Sequence, residues 1–385
     1  MSEVATREPQ LRFPEFSDSL IKGALGDYAL IKRGAGSQYI EYSKDSKDSI
    51  RLIRIGDFLG GDAVFVRLTN AIQRFLLDEG DILIAGTGAT AGITFLVPTK
   101  FVGMAYSYNA PKIKVHKDNV SFFYQYLISP KIKIQQIRLF TGNAQPFLDT
   151  NAIKGFSIFK PPLQEQQKIA AFLAAVDSKI EQLSKKQALL GEYKKGLMQQ
   201  IFSQAIRFKA DDGCDFPDWK EKKLGSLCEI TTGKLDANAM VKDGQYRFYT
   251  CAKEYYKIDD YAFDTDALIV SGNGANVGYI HHYQGKFNAY QRTYVLDSFT
   301  DNIVFVKFVL DGYLHKRIMK EKNEGNTPYI VMGTLTDMKI NLPSFSEQTK
   351  ISNFLSSIDN KIEQVGKQLD ESKQFKKALL QQMFV

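Results

Sequence analysis

Apolar residues recur with a 3.5-residue period in two long stretches of this chain. From Pro162 to Phe202, Ile169, Val176, Leu183, Leu190 and Leu197 stand seven apart, and Leu173 and Ile180 fill the neighbouring seam. From Pro343 to Phe384, Ile351, Ile358, Val365 and Leu379 keep the same heptad, joined by Leu355, Ile362 and Leu369. Such a period predicts two helices with coiled-coil seams, each about 60 Å long. An ordinary amphipathic helix on one domain's surface is the alternative. The two stretches are also copies: Glu165, Gln166, Lys168, Phe172, Asp177 and Lys179–Gln182 return at one constant offset as Glu347, Gln348, Lys350, Phe354, Asp359 and Lys361–Gln364. A gapless internal repeat of this kind predicts two structural units, each closing on its own helix.

Outside the helices the pattern shortens to strand length. Ser49–Phe58, Gly80–Gly86, Gly92–Val97 and Pro111–Val115 are Ile- and Val-rich runs punctuated by Gly and read as strands, while Ser121–Ser129 running on through Leu139 reads as one helix. The second half repeats the plan: Thr265–Ile280 answers the strand-turn-strand at 80–95, Gly325–Ile330 answers Asn143–Leu148, and Met338–Pro343 leads into the second helix. The opening Leu11–Phe16 has its expected counterpart in Cys214–Trp219. The fold class is α+β, with two pseudo-repeated α/β domains joined by two long helices. The boundaries fall at 1–160, 161–204, 205–342 and 343–385. The first helix ends close to where the second domain begins, so helices that pack on each other must run antiparallel. The 30–75 and 231–262 regions differ most between the two halves.

Composition adds a soluble character. The 385 residues are 44% hydrophobic and 24% charged, with a net charge of +7 that favours a polyanionic partner without requiring one. Three Cys, none in a C-x-x-C pair, support neither a disulfide framework nor a zinc site, and a reducing cytoplasm is the expected setting. No apolar leader or membrane span is apparent.

The chain offers little catalytic chemistry. The Gly-rich runs Gly86–Gly92 and Gly272–Gly278 follow strands but precede strands too, which removes the helix N-terminus that a phosphate loop uses. They read as tight strand-to-strand turns, with a backbone approach to DNA phosphates as the other possibility. No Walker, zinc-protease or amino-methyltransferase motif occurs, and Pro217–Lys223 reads as a solvated turn. None of the four His has an evident acid or nucleophile partner. Polar and aromatic residues at turns and strand ends are better placed to meet nucleic acid, since Arg matches guanine, Asn and Gln match adenine, and Lys meets phosphate. In the first half these are Lys32, Arg33, Tyr106, Tyr108, Asn109, Lys112, Asn143 and Gln145. In the second they are Asn273, Asn276, Tyr290, Gln291, Arg292, Asn326 and Thr327.

Two diverged domains, each closing on a P-x-x-x-E-Q-x-K-I-x-x-F-L-x-x-[VI]-D-x-K-I-E-Q helix, resemble the DNA specificity subunit of type I restriction-modification enzymes over the whole chain. The resemblance implies two target-recognition domains, each reading half of a bipartite site in double-stranded DNA, with paired helices as the spacer. It implies docking of two methyltransferase subunits and, through them, of restriction subunits. No cofactor is then expected on this chain, and S-adenosylmethionine, ATP and Mg belong to the partners; the chain itself is no enzyme. A two-lobed coiled-coil scaffold that binds proteins and no DNA is the rival reading.

Overall fold

A computed structural model of the chain describes residues 8–43, 48–140, 145–321 and 328–385. They form two compact units, one of residues up to 184 together with 367–385, the other of residues 185–366. Each holds a lobe of strands and short helices plus a portion of both long helices, Leu163–Phe202 and Phe345–Gln382. Secondary structure changes near the boundaries drawn at 160, 204 and 342, but packing divides the chain across the helices, because heptad side chains share cores with the lobes. Ile169, Leu173 and Leu379 lie in one core with Phe122, Phe123 and Tyr126, with Val176 packed against it. Ile351, Leu355 and Ile358 lie with Phe305, Phe308 and Leu310, with Leu197 and Ile362 against them. Leu183, Val365 and Leu369 are buried; Ile180 and Leu190 are half-buried.

Within each unit the early part of one long helix lies beside the late part of the other. Asp177 pairs with Lys376 at 2.6 Å in the first unit, and Asp359 with Lys194 at 2.6 Å in the second. These four are repeat counterparts, so both units make the same bond.

The start of each long helix is fixed to its lobe by a buried Glu-Gln pair. Glu165, 1% exposed, accepts a two-pronged bond from Arg12 at 2.8 and 2.7 Å. Gln166 accepts from the Asn119 backbone N–H and donates to Asp118 and to the Pro161 carbonyl. In the second unit Glu347 receives Arg207 and the Trp219 indole, and Gln348 accepts from Asn302 N–H and donates to Asp301 and the Pro343 carbonyl. Asn119 and Asn302 cap the lobe helices Val120–Leu127 and Ile303–Glu321, so one network ties two helix starts together.

The first lobe has a four-stranded antiparallel sheet (order 29–32, 112–115, 82–84, 94–96), a three-stranded one (65–67, 49–53, 105–106) and the pair Ile21–Ala24 with Ser157–Lys160. The second has one six-stranded sheet, in the order 229–232, 293–297, 263–271, 280–289, 246–249, 256–258. Along Phe263–Ser271 alternate residues part company: Leu268 and Val270 enter the helix-lined core, while Ala267 and Ile269 join Tyr249 and Phe287 on the opposite face.

Three expectations need correction. The single helix expected over 121–139 is two, Val120–Leu127 and Pro130–Phe140, because Pro130 cannot donate to the ladder and biases its predecessor out of the helical region. Lys220–Lys223, inside the expected turn, is an exposed strand paired antiparallel to Lys339–Leu342. The counterpart of Leu11–Phe13 is Ile206–Phe208, not Cys214–Trp219. Arg12 and Arg207 hold equivalent glutamates, and Phe13 and Phe208 meet the equivalent Phe172 and Phe354 edge-on.

Removing the buried carboxylate strands a guanidinium and an indole N–H, so Glu347→Ala is expected to cost about 3 kcal/mol in chemical denaturation. Burial pushes the Tyr126 phenol up to about 12 from its ordinary 10.0, and its hydroxyl donates to the Val385 carbonyl. A raised folded value means that stability is intact below about pH 10 and falls as pH rises toward 12. Tyr126→Phe should flatten that alkaline slope in melts taken across this range.

Candidate nucleic-acid interface

Both Gly-rich runs are strand-to-strand turns. Ile82–Ile84 pairs antiparallel with Thr94–Leu96, and Phe263–Ser271 with Ile280–Ala289. Gly88, Gly92, Gly274 and Gly278 take positive φ of 76–86°, a region that side chains rarely adopt.

Around each turn three further segments converge through matching backbone bonds. In the first lobe Gly86 N–H donates to the Asn109 carbonyl, Leu148 N–H to Gly86 and Tyr108 N–H to Ala35, at 2.8–2.9 Å. In the second, Gly272 N–H donates to Arg292, Ile330 N–H to Gly272 and Gln291 N–H to Leu235, over the same distances. Gly34 and Gly233 complete the frame by close approach, where an added Cβ would overlap the carbonyls of Tyr106 and of Ala289. The frame makes Tyr108-Asn109 the counterpart of Gln291-Arg292, and all four are exposed. Phe147 likewise corresponds to Tyr329, each in a bridge to the residue after the first turn glycine, and these are 46% and 58% exposed.

Of the other sequence candidates, Lys32 and Gln145 are exposed, and Arg33, Asn273 and Tyr290 are half-buried. Tyr106 and Lys112 are withdrawn by the structure. Tyr106 is 2% exposed, and Lys112 reaches Asp81 at 2.8 Å and the Leu76 carbonyl at 2.9 Å, a half-buried cation consumed by a buried carboxylate. Asn276 spends its amide on the Cys251 carbonyl at 3.1 Å and so ties the turn to the segment after Tyr246–Tyr249. Asn143, Asn326 and Thr327 lie outside the described residues.

The structure adds groups that the sequence reading missed. In the first lobe a cavity of about 650 Å³ opens beside the frame, lined among others by Gln38, Tyr42, Arg54, Thr87, Tyr108 and Asn109. In the second, Arg247 lies between the rings of Tyr255 and Tyr283 at 4.4 and 4.2 Å and donates to the Tyr249 hydroxyl at 3.3 Å. Strand alternation in Tyr246–Tyr249 was the available signal, since it puts Arg247 and Tyr249 on one face. His281, held below its ordinary value by burial, donates to the Ala252 carbonyl, while His282 faces Asp266 at 2.8 Å. Together these surfaces join aromatic faces to guanidinium and amide groups, a combination suited to stacking on and hydrogen bonding with nucleic acid.

A repeated scaffold presenting two different polar-aromatic surfaces defines a two-lobed recognition protein. The sequence model of the type I restriction modification DNA specificity domain matches residues 24–190 and 217–372, and the chain belongs to that family. The type I restriction enzyme EcoDI specificity subunit of Escherichia coli is 43% identical over 168 residues, 42% of this chain and 37% of that subunit. The MjaVIII specificity subunit of Methanocaldococcus jannaschii is 25% identical over 82% of this chain and 80% of its own length. Among solved structures, the type I restriction-modification S subunit from M. genitalium superposes with a TM-score of 0.65 at 17% identity, covering 98% of this chain and 99% of the other. A structure describing assembly and conformational transition of the type I system gives 0.56 at 18% identity, covering 94% and 96%. At these identities the superpositions speak to the fold.

The frame depends on the glycine contacts. Gly233→Ala is expected to destabilise the protein by about 1–3 kcal/mol through overpacking, read by denaturant unfolding. Gly191→Ala, in the open on a long helix, should be neutral or stabilising by up to about 1 kcal/mol.

Proposed function

We propose that this protein is the sequence-reading subunit of a type I restriction-modification complex, each lobe recognising one half of an asymmetric, bipartite site in double-stranded DNA. The observation that carries this reading is the shared backbone frame with unlike exposed side chains: Tyr108-Asn109 on one copy, Gln291-Arg292 on the other. A common frame docks both lobes on the duplex in the same way, and the unlike side chains select different bases. The net charge of +7 favours the encounter with DNA.

In this reading the two long helices, packed as an antiparallel coiled coil, set the gap between half-sites and dock two methyltransferase subunits, with restriction subunits joining through them. S-adenosylmethionine, ATP and Mg are held by those partners. The remaining polar candidates, Lys32 and Gln145 in the first lobe and Asn273 in the second, then approach DNA at the edges of the frame.

The test is co-expression with the methyltransferase subunits and mapping of methylated adenines across a DNA library. The expected result is a two-part motif with a fixed gap. Binding that neither discriminates among duplexes nor weakens steeply with salt would instead favour a protein-binding scaffold. Inserting one heptad at matching points of both long helices should lengthen the gap by a few base pairs and leave each half unchanged.

A further inference from the structure

Arginines in this fold mostly face carboxylates: Arg12, Arg51, Arg54, Arg67, Arg207 and Arg317 each form such an ion pair. Two half-buried arginines, one per lobe, have no such carboxylate among the described residues. Arg33 is stacked over Tyr108 at 4.4 Å and Phe147 at 5.3 Å, and its Nη1 is buried without a hydrogen-bond partner among the described residues. Arg247 is stacked between Tyr255 and Tyr283, and its one described side-chain bond is Nη1 to the Tyr249 hydroxyl. Both lie at the frame. Arg33 immediately precedes Gly34, and the strand carrying Arg247 ends at Tyr249, whose carbonyl accepts from Tyr290 N–H.

A partly buried guanidinium with unfilled donors is costly unless a ligand completes it. The rings hold its plane and immobilise a long side chain beforehand, so little ordering remains to be done on binding. A planar fork of N–H donors matches two adjacent acceptors, and among base edges in the major groove guanine O6 and N7 supply them. A phosphate offers similar acceptors, but mobile exposed lysines serve phosphate without such preparation. The two arginines also occupy different points of the repeat: Gly34 corresponds to Gly233, which makes Thr232 the counterpart of Arg33.

We propose that Arg33 and Arg247 are the guanine-reading residues of the two half-sites, each clamped by aromatic rings and each placed differently in its lobe. This assignment rests on the DNA-reading function proposed above. The full chain is purified with its methyltransferase subunits, and methylation motifs are compared for the wild type, Arg247→Lys, Arg247→Ala and Arg33→Lys. The wild-type motif should contain guanine in both halves. Arg247→Lys, which keeps charge and loses the fork, should reduce discrimination at one guanine of one half by roughly ten- to hundredfold and leave the other half intact. Arg33→Lys should do the converse. Tyr255→Leu, which removes one ring face, should relax the same guanine as Arg247→Lys and reports on the site even where Arg247→Ala does not assemble.

An unchanged motif in the Lys variants overturns the assignment. So does uniform weakening at every sequence with a salt slope lowered by about one, the signature of a phosphate contact. A wild-type complex that yields no two-part motif overturns the DNA-reading function itself, and this assignment with it.

Discussion

A carboxylate and a carboxamide buried in the first turn of each long helix constrain the rest of this structure. Glu165 and Glu347 are essentially without exposure and each needs a guanidinium; Gln166 and Gln348 each satisfy a backbone N–H, an aspartate and a carbonyl. Burying these groups is tolerable only with every bond made, so each helix starts in one orientation against its lobe. The lobe helix shares the network through its capping asparagine, and the apolar heptad faces then enter the lobe cores.

The frames around the Gly-rich turns follow a different logic. Their bonds run from backbone to backbone, and glycine supplies the positive φ and the close approaches. The backbone frame therefore does not depend on the side chains at 108–109 and 291–292, which differ between the lobes. One scaffold can thus hold two unlike exposed surfaces without losing its geometry.

Much of this was legible in the residues. The heptads, the copied helix and the strand-to-strand turns follow from local periodicity and glycine placement. The correspondence of Asn143–Leu148 with Gly325–Ile330 holds where it can be seen, at Phe147 and Tyr329. Local similarity is not enough elsewhere: Phe-Pro occurs in both Leu11–Phe16 and Cys214–Trp219, yet the counterpart of Arg12 is Arg207, identified by the glutamate that it holds. The edge strand Lys220–Lys223 has no apolar face to announce it and exists because Lys339–Leu342 lies alongside.

The sequence by itself determined the repeat, the long helices and the turns, since these depend on residues within a few positions of one another. Tertiary structure decided which polar side chains are available. Lys112 is lost to Asp81, Tyr106 to the core, and Arg247 is held up by Tyr283 from another strand. Burial and pairing of a charge depend on neighbours distant in the chain, and no local pattern of residue types specifies them.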